Sequence, residues 1–152
     1  MASSNKPQAF NPKTLAAPPP SYDQVCITPI LPTSKLITIA GQIGRHPEHD
    51  FKHNKSLLDQ AAQAYENVAN ALAAAGATPR DITFVRHYIV QDSGDAELNK
   101  KDVVSRGWAP LWIEFMDSKG EGHRPPDTVV GVASLATKEI LYEVEVVAVI
   151  HS

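Results

Sequence analysis

The stretch over residues 125–150, PPDTVVGVASLATKEILYEVEVVAVI, constrains the fold more than any other part of the chain. It reads as a β-hairpin with acids set inside otherwise apolar strands: Asp127 opens the first strand, and Glu143 and Glu145 lie in the middle of the second. Side chains alternate across a strand, so Glu143 and Glu145 share a face with Leu141, Val147 and Val149. Ile140, Tyr142, Val144, Val146, Ala148 and Ile150 make the other face, which is apolar enough to cover a core. The first face also carries too much Leu and Val for open water, so a second surface is expected over it, with two acids beneath. Buried carboxylates are costly unless paired or used, which makes this segment the place to look for chemistry.

At 152 residues and 43% hydrophobic content, the chain suits one domain with a real core. A net charge of −3 offers no basic field for a phosphate backbone, which argues against a nucleic-acid partner. Cys26 is the only cysteine, so no intrachain disulfide can form and a reducing, cytoplasmic compartment fits. No apolar run approaches the roughly 20 residues that span a bilayer, so no membrane partner is expected. Residues 1–19 lack the apolar segment of a secretory signal and are rich in proline; they read as a flexible arm ahead of a single domain over 20–152.

Along that domain, residues 22–30 and 35–42 read as strands, the second ending at Gly41, where the backbone needs close approach or positive φ. Ser56 and Asp59 resemble a capping box, and Leu57, Ala61, Ala64, Val68, Leu72 and Ala75 then recur at helical spacing until Gly76. Residues 81–90 read as a strand, 97–106 as a modest helix, and 111–117 as a second short helix with Pro110 in its first turn. The expected fold class is α+β in the order β-β-α-β-α-β-β, with helices on one sheet face and a partner subunit on the other.

Together, PSYDQV at 20–25, ITIAGQIG at 37–44, LLDQAAQAYENVANALAAAGATPRDI at 57–82, PPDTVVGVASL at 125–135 and YEVEVVAV at 142–149 resemble the RidA/YjgF family of reactive-intermediate deaminases. The resemblance implies a chorismate-mutase-like fold assembled as a homotrimer, with pockets between subunits. It implies hydrolysis of 2-imino or enamine acids with no metal or organic cofactor. In deaminating members an arginine in a Pro-Ala-Arg-Ser/Thr motif holds the substrate carboxylate, a glutamate near the C-terminus positions water, and a tyrosine near the N-terminus shapes the site. Here Tyr22 matches the tyrosine, Glu143 the glutamate and Gly41 the glycine after the second strand, preceded by Ala40 in place of the usual serine. Asp127 stands where the arginine would be, and Ala109 falls near a position that is often asparagine.

An arginine about 4 Å from a carboxylate contributes roughly 4 kcal/mol at an effective dielectric near 20; with aspartate in its place that contribution changes sign. The reading is therefore a diverged, cofactor-free enzyme performing acid–base chemistry on an imine, enamine or enol-type small molecule. Asp127 and Glu143 are expected to face each other as a carboxylate pair, with Tyr22 as a hydrogen-bonding partner. Asp127 could instead bind backbone amides or pair with Arg124 in a member that has lost catalysis, leaving a metabolite-binding or chaperone-like trimer. Gly41, Gln42, Trp112, Arg124 and Val129 are the candidate substrate-binding residues. His46, His49 and His53 lack a fourth ligand for zinc and read as loop histidines, so no metal is expected. An RNA-cleaving activity would want basic residues interleaved with aromatics, which are not seen.

Overall fold

The computed structural model describes residues 5–151. Its elements are β1 (Gln8–Phe10), β2 (Val25–Ile27), β3 (Ser34–Thr38), β4 (Gln42–Ile43), α1 (Leu57–Ala74), β5 (Ile82–Val90), α2 (Ala96–Asn99), α3 (Trp108–Lys119), β6 (Asp127–Val132) and β7 (Tyr142–His151). The fold is α+β, with a mixed sheet carrying helices on one face. β7 pairs antiparallel with β3 and β4 on one edge and with β5 on the other, while β6 lies outside β5 and parallel to it.

This corrects the hairpin expected over residues 125–150, because β5 is inserted between β6 and β7. β5 and β7, with 9 and 10 residues, are the longest strands and take the centre, where both backbone edges are hydrogen-bonded. β6 has 6 residues and takes an edge, where its short length leaves few backbone groups unpaired. A parallel neighbour needs a crossover, and the path from β5 through α2 and α3 to β6 supplies one that lays α3 over the sheet.

α1 forms where the 3.6-residue period is cleanest. Ser56 Oγ accepts from Asp59 N at 3.1 Å, as the cap pattern implies, and the chain leaves the helix through Gly76 at φ 74°. Leu57, Ala61, Ala64, Tyr65, Val68 and Leu72 bury one face against Ile82, Val85, Ile89, Tyr142, Val144, Val146 and Ala148. Fully burying each Leu or Val contributes about 1.5–3 kcal/mol. Gln60 lies within this apolar layer because both ends of its amide are used: Nε2 donates to Glu139 O at 2.8 Å and Oε1 accepts from Leu141 N at 2.8 Å.

Three other expectations change. The helix expected over 97–106 shrinks to the single turn of α2, since it buries no residue, and a 3-10 turn at Val103–Ser105 follows. α3 begins earlier, at Trp108, with Pro110 in the first turn, where its missing N–H costs nothing. The strand expected over 22–30 is only Val25–Ile27 and pairs with β1 rather than with the main sheet. Within the arm expected over 1–19, residues 5–10 contact the domain: Lys6 Nζ lies 2.6 Å from buried Asp81, Arg80 donates to Pro7 O at 2.6 Å, and His151 Nε2 lies 2.6 Å from Asn5 O. Residues 1–4 of that arm lie outside the described residues.

Candidate functional site

The sheet sorts the candidate residues onto two faces. On β7, Tyr142, Val144, Val146 and Ala148 point into the helix-covered core, so Glu143, Glu145 and Val147 point the other way. β5 places Tyr88 opposite Glu143 and Arg86 opposite Glu145, and β6 continues that face with Thr128, Val130 and Val132. Among the described residues no helix covers this face, and Leu36 on β3 is 69% exposed there.

Glu143 is the one carboxylate on this face with no hydrogen bond or ion pair among the described residues. It sits over Gly41: a Cβ added there would lie 1.8 Å from Glu143 Oε1. The close approach anticipated at Gly41 is thus to a carboxylate, and Gln42 and Ile43 of β4 then pair with β7 beside it. Glu145, two residues on, is engaged. Arg86 Nη1 donates to its Oε1 at 2.7 Å and Tyr88 Oη at 3.0 Å. Burial, and then the charge of Glu145, push the Glu143 carboxyl above the ordinary carboxylate range. The Arg86 hydrogen bond, reinforced by Tyr88, holds the Glu145 carboxyl below it. Two acids on one face are so driven apart, one toward holding a proton and one toward ionisation.

Asp127 is not part of this arrangement, and the expected Asp127–Glu143 pair is corrected. Asp127 pairs with Val85, a core residue, so its side chain enters the helix side of the sheet and is 3% exposed. Glu143 is on the opposite face, two strand spacings away (about 10 Å) and displaced along the strands as well. Period-2 alternation had placed Glu143 and Glu145 on one face of their strand, but setting Asp127 opposite Glu143 assumed a hairpin.

The remaining candidates divide in the same way. Trp112 is fully buried among Tyr65, Phe115 and His87, so as a lining residue of an open pocket it is corrected. Val129 lies beside His87 on β6 and packs against the same core. Arg124 is a clamp: its guanidinium reaches Asp117 Oδ1 at 2.5 Å and Pro20 O at 3.0 Å, and its carbonyl accepts from Asp23 N at 3.0 Å. Tyr22 lies in that clamped segment, and among the described residues no hydrogen bond joins it to Glu143 or Asp127. His46 and His49 stack at 3.8 Å between ring centroids rather than converging on a point. Among the described residues no group of three or more His, Cys, Asp or Glu could hold a metal ion. A groove of about 750 Å³ runs along this histidine loop and includes Gln42, Arg45, Asn67 and Asn70 but not Glu143.

Sequence reasoning missed Arg86 and Tyr88, although alternation in ITFVRHYIV already put them on one face, opposite His87. What it lacked was the neighbour strand that brings Glu145 to them.

No helix among the described residues is long and apolar enough to cross a membrane. A search of curated proteins finds no match to the chain. Among solved structures, a conserved Rid-family protein of unknown function, YyfB from Yersinia pestis, is similar at 23% identity and a TM-score of 0.74, over 94% of this chain and 98% of that one. E. coli TdcF, solved with bound serine, is similar at 23% identity and a TM-score of 0.61, over 87% and 95%. RidA from an Antarctic Psychrobacter is similar at 21% identity and a TM-score of 0.57, over 94% and 99%. These likenesses establish the fold. The model of the family described as Endoribonuclease L-PSP matches residues 16–150, and on that match the chain belongs to the RidA/YjgF/L-PSP family.

Proposed function

We propose that this protein is a cofactor-free small-molecule enzyme in which Glu143 carries out acid–base chemistry on an imine, enamine or enol-type substrate. The observation that carries the reading is the unpartnered Glu143 carboxyl, raised by burial and by Glu145, seated on the bare backbone of Gly41. A carboxyl raised above the ordinary carboxylate range is a candidate proton donor to an imine nitrogen. Its conjugate base can then take a proton from the water that adds to the imine carbon, and collapse of the adduct releases carbonyl and amine. The imine and enamine deamination typical of the family, and the serine bound to TdcF, support a small polar ligand.

The preferred substrate lacks a carboxylate at the family's usual position. Residue 127 is not arginine and its side chain faces away from Glu143, while the guanidinium on the Glu143 face, Arg86, is already neutralised by Glu145. The uncovered face that carries Glu143, with Leu36, Tyr88, Val130, Val132 and Val147 along it, supports a homotrimer in which a neighbouring subunit closes the site.

The test is hydrolysis of freshly generated 2-imino acids beside uncharged imines of similar size, with Glu143→Gln as control. Turnover of the uncharged imines that Glu143→Gln abolishes supports the reading. Unchanged turnover in that variant removes it, and efficient hydrolysis of short 2-imino acids removes the substrate preference.

A further inference from the structure

The core face of the sheet holds a polar chain that the proposed chemistry does not use. His87 Nε2 on β5 lies 3.5 Å from Asp127 Oδ2 on β6. His87 Nδ1 lies 2.5 Å from Tyr142 Oη on β7, and Tyr142 Oη lies 2.8 Å from Tyr65 Oη on α1. Tyr65 Oη reaches the backbone carbonyl of Trp108 at 3.3 Å. All four side chains are nine-tenths or more buried. From α3, the indole of Trp108 is tilted against His87, that of Trp112 is edge-on to it, and Phe115 packs against Tyr65. Among the described residues, Asp127 is the one charged group that faces the chain from the elements packed around it.

Counting hydrogens shows what the chain lacks. Its two ends, the Trp108 carbonyl and the Asp127 carboxylate, can only accept. Between them stand two phenols and one neutral imidazole, each with a single hydrogen to give. Four links therefore share three hydrogens, and one link is always open. His87 Nε2 and Asp127 Oδ2 are both buried without a hydrogen-bond partner, at the longest link of the chain. With the other three links made in the direction of Trp108, the imidazole hydrogen sits on Nδ1, and Nε2 turns a lone pair toward the carboxylate.

We propose that His87 Nε2 and Asp127 Oδ2 form a proton-binding site inside the core, where one proton shared by the pair supplies the fourth hydrogen and closes the chain from Asp127 to Trp108. The proton comes from solvent, no other bond is made or broken, and the pair passes from a net charge of −1 to neutral. Removing an unpaired charge from an apolar layer is favourable in itself. Burial also holds His87 below the usual imidazole range, against the pull of Asp127. The proton belongs to the pair and not to either residue.

Asp127→Asn tests this, because an amide donates a hydrogen to Nε2 at any pH and so imitates the loaded site. Melting temperatures of wild type, Asp127→Asn and Asp127→Ala are compared across the pH range, with ¹⁵N spectra reporting which ring nitrogen of His87 carries the hydrogen. The expected result is that D127N melts about 3 °C or more above wild type on the alkaline side, as one more buried hydrogen bond would give. That gap closes as pH falls and the wild-type pair takes up its proton, D127A lies below both, and His87 in D127N is protonated on Nδ1. The proposal is overturned if D127N is destabilised as much as D127A at every pH. It is equally overturned if wild-type His87 keeps its hydrogen on Nε2 throughout, which would mean a bare carboxylate accepting from the imidazole.

Discussion

Gly41→Ala separates the role of Glu143 from the stability of the fold. A methyl group at residue 41 would stand 1.8 Å from Glu143 Oε1, 2.7 Å from Cδ and 2.9 Å from Cγ. All three atoms belong to the outer part of a flexible side chain, and Gly41 is not in the left-handed region, so the backbone needs no rearrangement. To reach ordinary contact the carboxyl must withdraw by about 1.5 Å, a rotamer change costing about 1 kcal/mol. The reduced freedom of the unfolded chain offsets most of that, since Gly→Ala at a compatible conformation stabilises by about 0.4–1 kcal/mol. The melting temperature should therefore move by only a few degrees. A catalytic group misplaced by about 1 Å can cost about 100-fold in rate, so kcat/KM for imine hydrolysis should fall by about that factor. Gly44→Ala is the contrasting control: its Cβ would lie 2.3 Å from Gln60 Cα, backbone of α1 that cannot rotate away. Overpacking there should cost about 1–3 kcal/mol or more and loosen the Gln60 bonds to β7. The reasoning fails if Gly41→Ala keeps wild-type turnover in the coupled assay, or if it loses as much stability as Gly44→Ala in a thermal melt.

Other outcomes follow from the same geometry. Glu143→Gln should lower turnover about 100-fold or more with the circular-dichroism spectrum unchanged. With Glu143 as proton donor, activity should fall on the alkaline side as it ionises; because the Glu145 charge helps raise its pKa, Glu145→Gln should move that limb of the pH–rate profile to lower pH. Arg86→Leu should destabilise the protein at neutral pH but not in acid. The Glu145 carboxyl is held low chiefly by Arg86, so its contribution is present above the unfolded carboxylate range and lost as pH falls below it, which melts at several pH values will show. Leu36→Glu, at a 69% exposed position on the uncovered face, should dissociate the expected trimer in sedimentation without unfolding the subunit. Ser56→Ala should cost about 1 kcal/mol in denaturant melts, since Ser56 Oγ is the cap acceptor for Asp59 N.

Local order was legible in the chain wherever one element decides it alone. α1 was marked at both ends by Ser56 and Gly76, and its buried face by the recurrence of Leu57, Ala61, Ala64, Val68 and Leu72. Alternation along β7 correctly put Glu143 and Glu145 on the face away from the core, and the glycine at 41 announced a close approach. The candidate site was legible only to that extent. A strand's period tells which of its own residues share a face, but it does not say which strand lies beside it, because backbone hydrogen bonds are alike for every neighbour. That choice was made in three dimensions, by the lengths of β5 and β7 and by the crossover through α3. Inserting β5 between β6 and β7 sent Asp127 into the core to meet His87, and it placed Arg86 and Tyr88 against Glu145. Two acids that read as one site from the sequence thus stand on opposite faces of the sheet: Glu143 toward solvent and a prospective neighbour, Asp127 in a buried chain that no local pattern could show.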